Sequence, residues 1–293
     1  MIERGWISDI PFYKTLAILQ AIKNLEADED VKNTLKLALA STLVGDISNV
    51  HFAPEISVDK RKMDVDAIGA FRRKTCQMAL DLEKVRNIPK IGSSRVFQGD
   101  ARDSAHILNS NDVNSVDYVI TSPPYPTEKD YTRQTRLELV LLGYVYDKTS
   151  LQKIKHEMIR SHSKGIYKQD EDGKLVADIP EVQAIVNELK EKTANLTYGF
   201  AKLYPKIIEE YFGGMYRHLE EINRVLRPGG KCAYVVGEQR TYIQTYCPTG
   251  QILGIMASKI GYEIEDILVW RIRKGTTGSG KEIKEEIVIL KKP

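Results

Sequence analysis

The sequence has few of the residues that cross-link a chain or hold a metal. It contains three cysteines, Cys76, Cys232 and Cys247, and no two of them form a C-x-x-C pair. Its five histidines show no spacing typical of metal ligands. Neither a zinc site nor a disulfide framework is therefore expected. The cysteine content fits a reducing compartment, so we expect a cytoplasmic protein.

Long apolar runs and a strong charge bias are also lacking. No apolar stretch reaches the length of a transmembrane helix, and the first residues lack the apolar core of a secretory signal. The net charge of +3 is compatible with a nucleic-acid partner but does not require one. Hydrophobic residues make up 42% of the 293 positions, which is enough for the core of one large domain or two small ones.

The most informative stretch is a predicted strand that ends in two prolines. Residues Val116–Ile120 are mostly β-branched or aromatic, which predicts a short buried strand. The strand is followed by Thr121-Ser122-Pro123-Pro124-Tyr125. Because proline has a fixed φ and no N–H, these residues predict a rigid turn. Such a turn lies at the carboxyl end of a strand, where open α/β sheets bind ligands.

Two interpretations of this turn are open. In the first, the prolines only punctuate a β-turn. In the second, the turn is a pocket for a base flipped out of a nucleic acid. The Ser122 hydroxyl and the Pro123 carbonyl would then accept hydrogen bonds from an exocyclic amine, and Tyr125 would stack on the base. The rest of the chain has to distinguish them.

Residues 12–87 are predicted to be largely helical, because apolar residues recur there at helical spacing. These residues are Leu16, Leu19, Ile22 and Leu25, then Val31, Leu35, Leu39 and Leu43, then Ile68, Phe71, Leu82 and Val85. Asp28–Asp30 predicts a break between the first two helices. The basic runs at residues 60–62 and 72–74 are either solvated faces, which we favour, or phosphate contacts.

Polar segments lie on both sides of the turn. Arg95–Gln98 is a predicted strand that leads into Gly99-Asp100-Ala101-Arg102. Asp100 there either binds a nucleoside amine or hydroxyl, or caps the next helix. Residues 137–142 predict a buried helix. Residues 148–178 are mostly polar and charged, and predict either a DNA-facing insertion or a mobile loop.

The last third of the chain predicts helices and strands in alternation. The predicted elements are a long helix over Tyr204–Leu226 stopped by Pro228-Gly229-Gly230, a strand over Lys231–Gly237, a helix over Gln251–Ile260, and strands over Ile264–Ile272 and Glu286–Leu290. The last two strands are expected to form an antiparallel hairpin.

Together these stretches resemble the amino-group DNA methyltransferases, which methylate N4 of cytosine or N6 of adenine. Ser122-Pro123-Pro124-Tyr125 looks like their catalytic motif, and its serine form is more typical of the cytosine-N4 group. The supporting stretches are Gly99-Asp100-Ala101-Arg102, Asp130-Tyr131, Leu137-Glu138, Arg224–Gly230 and Val269-Trp270-Arg271. The resemblance covers residues 95–293. It implies an α/β fold with a class I methyltransferase-like (Rossmann-like) sheet.

The resemblance also implies roles for individual residues. Ser122, Pro123, Pro124 and Tyr125 would be catalytic. Asp100 and Thr121 would bind the cofactor, S-adenosylmethionine. The candidate DNA-binding residues are Lys60, Arg61, Lys62, Arg133 and Arg136. Residues 1–90 would form a helical segment, and residues 91–293 the catalytic region with a polar insertion at about 148–200.

The sequence departs from the family at the cofactor end. S-adenosylmethionine needs a glycine-rich loop after the first strand and an acid after the second, and neither is found. Gly275–Lys281 fits most of a P-loop, but Glu282 replaces the Ser/Thr and a predicted strand follows, so we interpret it as a hairpin turn. Longer relatives carry Phe-x-Gly-x-Gly upstream of helices that resemble residues 12–87. We therefore expect an incomplete sheet.

A second polypeptide would then supply the cofactor loop and complete the sheet. Other interpretations remain open. In the first, the chain is an inactive fragment. In the second, it is an amino methyltransferase that acts on RNA or a small molecule. In the third, it is a non-catalytic DNA-binding or regulatory subunit that kept the fold.

Overall fold

The computed structural model describes residues 1–52, 56–197, 199–274 and 282–293. Contacts divide the chain into two compact units, Met1–Arg95 with Tyr131–Ile154, and Val96–Asp130 with Lys155–Pro293. The division at residue 90 that we expect from the sequence stays a prediction. Within the described ranges, none of the helices combines the length and the apolar character needed to cross a membrane.

The first unit is built mainly from helices. Its elements are α1 (Asp9–Asn24), α2 (Glu29–Thr42), the π-helical turn Leu43–Ile47, β1 (Val50–Phe52), β2 (Ile56–Val58), α3 (Ala67–Arg86), α4 (Tyr131–Gln134), α5 (Arg136–Leu141) and α6 (Lys148–His156). The last two residues of α6 belong to the second unit. Strands β1 and β2 pair antiparallel. The three helices predicted within residues 12–87 are confirmed as α1, α2 and α3, and Asp28 is the N-cap of α2.

Only part of the predicted helical stripe is buried. Of the predicted positions, Ile22 of α1, Leu39 of α2 and Leu43 after α2 pack into one apolar core, which Ile18 and Ala67 also join. The predicted positions that are exposed instead are Leu16, Leu25, Val31, Ile68, Leu82 and Val85. In α3 the cause is length, because its residues 79–86 are all exposed. Periodicity shows which side of a helix is apolar, not how far a neighbour covers it.

The second unit contains a mixed four-stranded sheet. Its elements are β3 (Val116–Thr121), α7 (Pro180–Thr193), α8 (Tyr204–Val225), β4 (Leu226–Gly237), β5 (Gln239–Arg240), β6 (Tyr246–Cys247), α9 (Thr249–Ile260), β7 (Glu263–Lys274) and β8 (Glu282–Lys291), with 3₁₀ turns at Ser110–Asp112, Ser163–Gly165, Asp172–Val176 and Phe200–Leu203. The strand order is β3-β4-β8-β7. Strand β3 runs parallel to β4, and the other neighbours are antiparallel. The α/β fold expected from the sequence is confirmed.

One face of this sheet is covered by helices, and we call it the closed face. Helices α8 and α9 contact the strands, and α7 packs on α8. Tyr234 and Val236 of β4, together with Val288 and Leu290 of β8, are at most 1% exposed and belong to the apolar core of this unit. Burial of large apolar side chains on this face therefore supplies most of the packing of the second unit.

The opposite side of the sheet carries apolar residues that are not buried. Side chains alternate between the two faces along a strand, and cross-strand partners share a face. The register sets Ile120 beside Ala233, Ala233 beside Ile289, and Ile287 beside Leu268. We call the apolar residues of this side the open face: Tyr118, Ile120, Ala233, Val235, Leu268, Ile287 and Ile289. Tyr118 is 70% exposed and Ile120 is 81% exposed.

Two strand predictions differ from the structure. Val116–Ile120 is confirmed as a strand, but the prediction that it is buried is wrong, because β3 lies at the edge of the sheet and pairs only with β4 among the described residues. Arg95–Gln98 is not a strand at all, and Val96 is 95% exposed. A strand forms only where a neighbouring strand takes up its backbone hydrogen bonds. The described part of the chain offers Arg95–Gln98 no such neighbour.

The turn after the long helix also differs from the prediction. Helix α8 ends at Val225, and Pro228-Gly229-Gly230 lies inside β4 rather than before it. Val116 pairs with Leu226 and Tyr118 with Lys231, so the extra residues of β4 form an irregularity in the ladder. The helix over Gln251–Ile260 and the terminal hairpin are confirmed as α9, β7 and β8. Gly275–Lys281, the predicted hairpin turn, lies outside the described residues.

Candidate active site

The predicted catalytic residues form one turn at the carboxyl end of β3. Thr121 is the last residue of the strand and pairs with Tyr234 of β4. Ser122 is exposed, Pro123 is buried, and Pro124 and Tyr125 are half-buried. A turn with a buried proline at its base holds its neighbours firmly, because proline loses little conformational entropy on folding. The exposed Ser122 hydroxyl is therefore presented from a rigid support.

Tyr125 is tied to strand β8 by its hydroxyl. The Tyr125 hydroxyl donates a hydrogen bond of 3.3 Å to Oε1 of Glu285 on β8. Burial and then the negative charge of Glu285 raise the pKa of Tyr125 above its ordinary value, whereas a hydrogen bond with the Ser122 side chain lowers it. The two polar side chains of the motif therefore lie within hydrogen-bonding reach of each other.

The ring of Tyr125 lies over a glycine of the neighbouring strand. A Cβ atom built on Gly237 of β4 would approach Cε2 of the ring at 2.7 Å and a guanidinium nitrogen of Arg273 at 2.8 Å. Gly237 is therefore a position where any larger residue would displace the ring. The Arg273 guanidinium itself stands over the ring, 5.4 Å from its centroid.

The residues that follow the motif are also held in place. Nε2 of Gln239 donates a 2.8 Å hydrogen bond to Glu128, and the Arg273 guanidinium lies 3.7 Å from the same carboxylate. Thr127 has a φ of +62°. A β-branched residue rarely adopts this left-handed conformation, so the surrounding contacts must offset its strain. The loop from Ser122 to Glu128 is thus closely constrained.

Asp100 belongs to a separate cluster of charges. Arg102 donates to both oxygens of the Asp100 carboxylate at 2.6–3.1 Å, and also to Asp172 at 2.7 Å. Arg217 of α8 bonds the other oxygen of Asp172 at 2.9 Å. Partial burial alone would raise the pKa of Asp100, but the hydrogen bonds and charge of Arg102 lower it overall. Asp100 is thus ionised and engaged by Arg102, and its contact with a cofactor stays a prediction.

A histidine of the long helix supports the same cluster. Nδ1 of His218 lies 3.0 Å from the carbonyl oxygen of Ala101, and Nε2 lies 3.1 Å from the Tyr234 hydroxyl. Burial lowers the pKa of His218, against smaller opposing effects of the Ala101 carbonyl, Asp100 and Glu221. A neutral His218 therefore links the loop after Gly99 to the core of the closed face.

The polar segment of residues 148–178 contains α6 and two 3₁₀ turns, so its interpretation as a mobile loop is wrong. Arg160 and Asp170 form a pair at 2.9 Å in which both side chains are at most 6% exposed. Lys155 and Asp130 form a second pair at 3.1 Å, with side chains that are 11% and 9% exposed. Such pairs hold a segment because separating them would leave a charge buried alone. The DNA-facing interpretation stays a prediction.

The candidate DNA-binding residues all lie in the first unit. Lys60 and Arg61 are exposed. Lys62 instead donates to the carbonyls of Gly45 and Asp46, and Nε of Arg136 donates to the Thr132 carbonyl at 2.9 Å. Lys62 and Arg136 therefore stabilise local structure. Arg133 is half-buried in α4. DNA contact by Lys60, Arg61, Lys62, Arg133 and Arg136 stays a prediction.

Sequence reasoning missed four residues around Tyr125: Gly237, Arg271, Arg273 and Glu285. Val269-Trp270-Arg271 stands out in the sequence only as a family stretch. The only signal for Glu285 is an acidic residue within a predicted apolar hairpin. Glu285 is 4% exposed, and a buried acid on a strand requires partners that a linear sequence does not identify.

Comparisons with known proteins identify the family to which the chain is similar. The family model for N6/N4 DNA methylases matches residues 116–293, more than half of the chain. Two curated relatives, the type II methyltransferases M.AvaI of Nostoc sp. PCC 7120 and of Anabaena variabilis, are each 28% identical over 202 residues, which cover 64% of this chain and 40% of the relative. M.BsoBI of Geobacillus stearothermophilus is 27% identical over 202 residues, which cover 61% of this chain and 39% of that protein.

Solved structures resemble the chain more distantly. TTHA0409 of Thermus thermophilus, named as a DNA modification methylase, is 18% identical, with a TM-score of 0.35 over 69% of this chain and 55% of that one. Its complex with S-adenosyl-L-methionine has a TM-score of 0.34 over 67% and 54% of the two chains. Scores this low add no weight to the family match. The chain spans about 40% of the length of the curated relatives that it matches.

Proposed function

The chain belongs to the DNA methylase family, and from that premise we propose that it transfers a methyl group to the exocyclic amine of a flipped DNA base. The acceptor that we propose is N4 of cytosine, because the motif begins with serine. The observation that supports this most is the motif itself. It is a rigid turn at the end of β3 with Ser122 exposed and Tyr125 held by Glu285.

The chemistry requires activation of a weak nucleophile. The lone pair of an exocyclic amine is delocalised into the ring of the base. Acceptance of its two N–H groups by Ser122 Oγ and the Pro123 carbonyl draws the nitrogen towards tetrahedral geometry, in which the lone pair is free to attack. Tyr125 holds the base by stacking, worth about 1–3 kcal/mol.

No cysteine is needed as a nucleophile in this reaction. Burial raises the pKa of Cys232 and of Cys247 to about 12, so both stay as thiols at neutral pH. Cys76 is exposed in the first unit. The positions of all three cysteines are consistent with direct transfer of the methyl group to the amine, without an enzyme-bound intermediate.

The residues present fit only part of the cofactor. S-adenosylmethionine supplies the methyl group when it is bound. Asp100 and Thr121 are the residues that we expect beside it, but Arg102 already occupies both oxygens of the Asp100 carboxylate. In the described ranges, no strand of the four-stranded sheet runs through a glycine-rich turn into a helix. We propose that the remaining part of the cofactor site lies outside the described residues.

We assign that part to a second polypeptide that pairs with β3 and covers the open face. Three observations support it. The outer edge of β3 has no strand partner among the described residues. Tyr118 and Ile120 expose apolar side chains beside that edge. Val96, in a segment with the composition of a strand, is 95% exposed. An added strand and its helix would satisfy the edge and cover the apolar surface.

The first experiment measures methyl transfer to DNA by this chain, co-expressed with the neighbouring polypeptide that carries a glycine-rich loop. Ser122→Ala and Tyr125→Ala are each expected to lower turnover by about tenfold or more without unfolding the chain. Mass spectrometry of the digested DNA identifies the product, and N4-methylcytosine is expected. Unchanged rates in both variants would refute the assigned roles. N6-methyladenine would refute the proposed base.

The second experiment tests the division of the enzyme. Calorimetry with S-adenosylmethionine is expected to detect no binding to the purified chain alone and clear binding to the co-purified pair. Tight binding to the chain alone would refute the second polypeptide. Methyl transfer to tRNA rather than DNA, or DNA binding without any transfer, would instead support the alternative activities.

A further inference from the structure

A buried carboxylate lies beneath the motif, where no role has been assigned. Glu285 of β8 is 4% exposed. Its partner in the ladder is Gly237 of β4, the residue over which the Tyr125 ring lies. Glu285 therefore occupies the side of the sheet that faces the motif.

One hydroxyl and two arginines surround this carboxylate. The Tyr125 hydroxyl donates to Oε1 at 3.3 Å, and Nε of Arg271 donates to Oε2. Nε of Arg273 lies 3.5 Å from Oε1. A buried carboxylate is stable only when its charge is compensated, and two arginines compensate it here. The position of the acceptor for the Tyr125 hydroxyl is thereby fixed by the strands rather than by the loop.

The same arrangement restricts the ring. The Arg273 guanidinium stands over the ring at 5.4 Å from its centroid, and Gly237 leaves the space that the ring edge occupies. A hydroxyl anchor at one end and a guanidinium over one face limit rotation of the side chain. Phenylalanine would keep the stacking surface but lose the anchor.

We propose that Glu285 is a positioning residue, which holds Tyr125 by its hydroxyl so that a flipped base stacks on the ring face not covered by Arg273. This inference rests on the proposed function, because the base is its occupant. A ring already fixed in place loses less entropy when the base arrives. The role explains why the fourth residue of the motif is tyrosine in this chain.

The first test needs neither DNA nor cofactor. Tyr125 is replaced by 3-fluorotyrosine in the full chain, and its fluorine resonance is followed as pH is raised. The charge of Glu285 raises the pKa of Tyr125, so Glu285→Gln is expected to shift the titration to lower pH. Glu263→Gln is the matched control, since Glu263 pairs with Lys291 at 3.0 Å on the same two strands and is expected to leave the titration unchanged.

The second test measures methyl transfer by the co-expressed pair. Tyr125→Phe and Glu285→Gln are each expected to lower kcat/KM for DNA about fivefold, and the double variant by about the same factor, because Tyr125→Phe removes and Glu285→Gln weakens the same hydrogen bond. Thermal unfolding of each variant confirms that the chain is folded.

The outcomes separate the two proposals. The positioning role would be overturned if Glu285→Gln left the titration of Tyr125 unchanged. It would also be overturned if the double variant lost about 25-fold in kcat/KM, which is the loss that two independent effects predict. A pair that transfers no methyl group at all would instead overturn the proposed function. The fluorine titration would still report whether Glu285 holds Tyr125.

Discussion

The two faces of the four-stranded sheet have similar apolar residues and different surroundings. On the closed face, Val288 and Leu290 alternate along β8 beneath helices α8 and α9. On the open face, Ile287 and Ile289 alternate with them on the same strand, yet both remain partly exposed. The stretch Ile287–Leu290 of β8 is thus apolar on both faces, which is typical of strands covered on both sides. The composition of this stretch matches a sheet with two covered faces, whereas the described residues of this unit bury only one.

The largest difference between the two faces is expected in the free energy of unfolding, when adjacent residues of β8 are replaced one at a time. Leu290→Ala removes a side chain that is 0% exposed, so it should lower the free energy of unfolding by about 2–5 kcal/mol. Ile289→Ala lies on the open face and should cost less than about 1.5 kcal/mol in the chain alone. Urea unfolding followed by circular dichroism measures both. Equal losses would mean that the open face is covered in solution.

A charge introduced on the open face should weaken binding of the second polypeptide without changing the stability of the chain alone. Ile120 is 81% exposed, so Ile120→Asp is expected to change the free energy of unfolding of the chain alone by less than about 0.5 kcal/mol. The same change should weaken binding of the second polypeptide by about tenfold or more, because the added charge would be buried at the new contact.

Ile255→Asp serves as its control, since Ile255 is a 36% exposed residue of α9. Co-purification and calorimetry compare the two variants. Equal binding by both would remove the open face as the assembly surface.

A smaller effect on stability is expected from a change of pH, through His218 of α8. Burial lowers the pKa of His218 below its ordinary value of 6.5, so the unfolded chain takes up a proton that the folded chain does not. Stability contributed by neutral His218 is therefore present above pH 6.5 and lost as pH falls below it, by at most about 1.4 kcal/mol per pH unit.

His218→Gln should flatten this dependence between about pH 6.5 and 5, as measured by urea unfolding at several pH values. His106→Gln, at a side chain that is 85% exposed, should not. An unchanged slope in His218→Gln would show that other groups cause the loss of stability in acid.

Local patterns were sufficient to predict most elements but not their surroundings. The start of α8 and the end of α9 follow from Pro205 and Gly261, whose effects act on neighbouring residues. The sequence also placed Ser122 and Tyr125 together, since they belong to one contiguous motif. It did not predict that β3 is an edge strand, because exposure depends on which strands are present beside it.

Long-range partners were the other limit. Arg102 and Asp172 are 70 positions apart, and Tyr125 and Glu285 are 160 positions apart. Taken alone, Arg102, Asp172 and Glu285 are charged residues of the kind that usually lies on a solvated surface. Only the fold shows that Arg102 orders a polar segment and that Glu285 supports the motif, because charge pairing is decided by distance in space.

The parallel pairing of β3 with β4 has a consequence for how the chain acquires its structure. Asp117 and Arg227, which bond across these strands, are separated by 110 positions. During synthesis the motif is made long before β4, so it has no sheet to attach to until the chain has grown past Gly237. Contacts between such distant residues close large loops and form slowly. The turn that carries Ser122 and Tyr125 is therefore expected to be among the last parts of the second unit to become ordered.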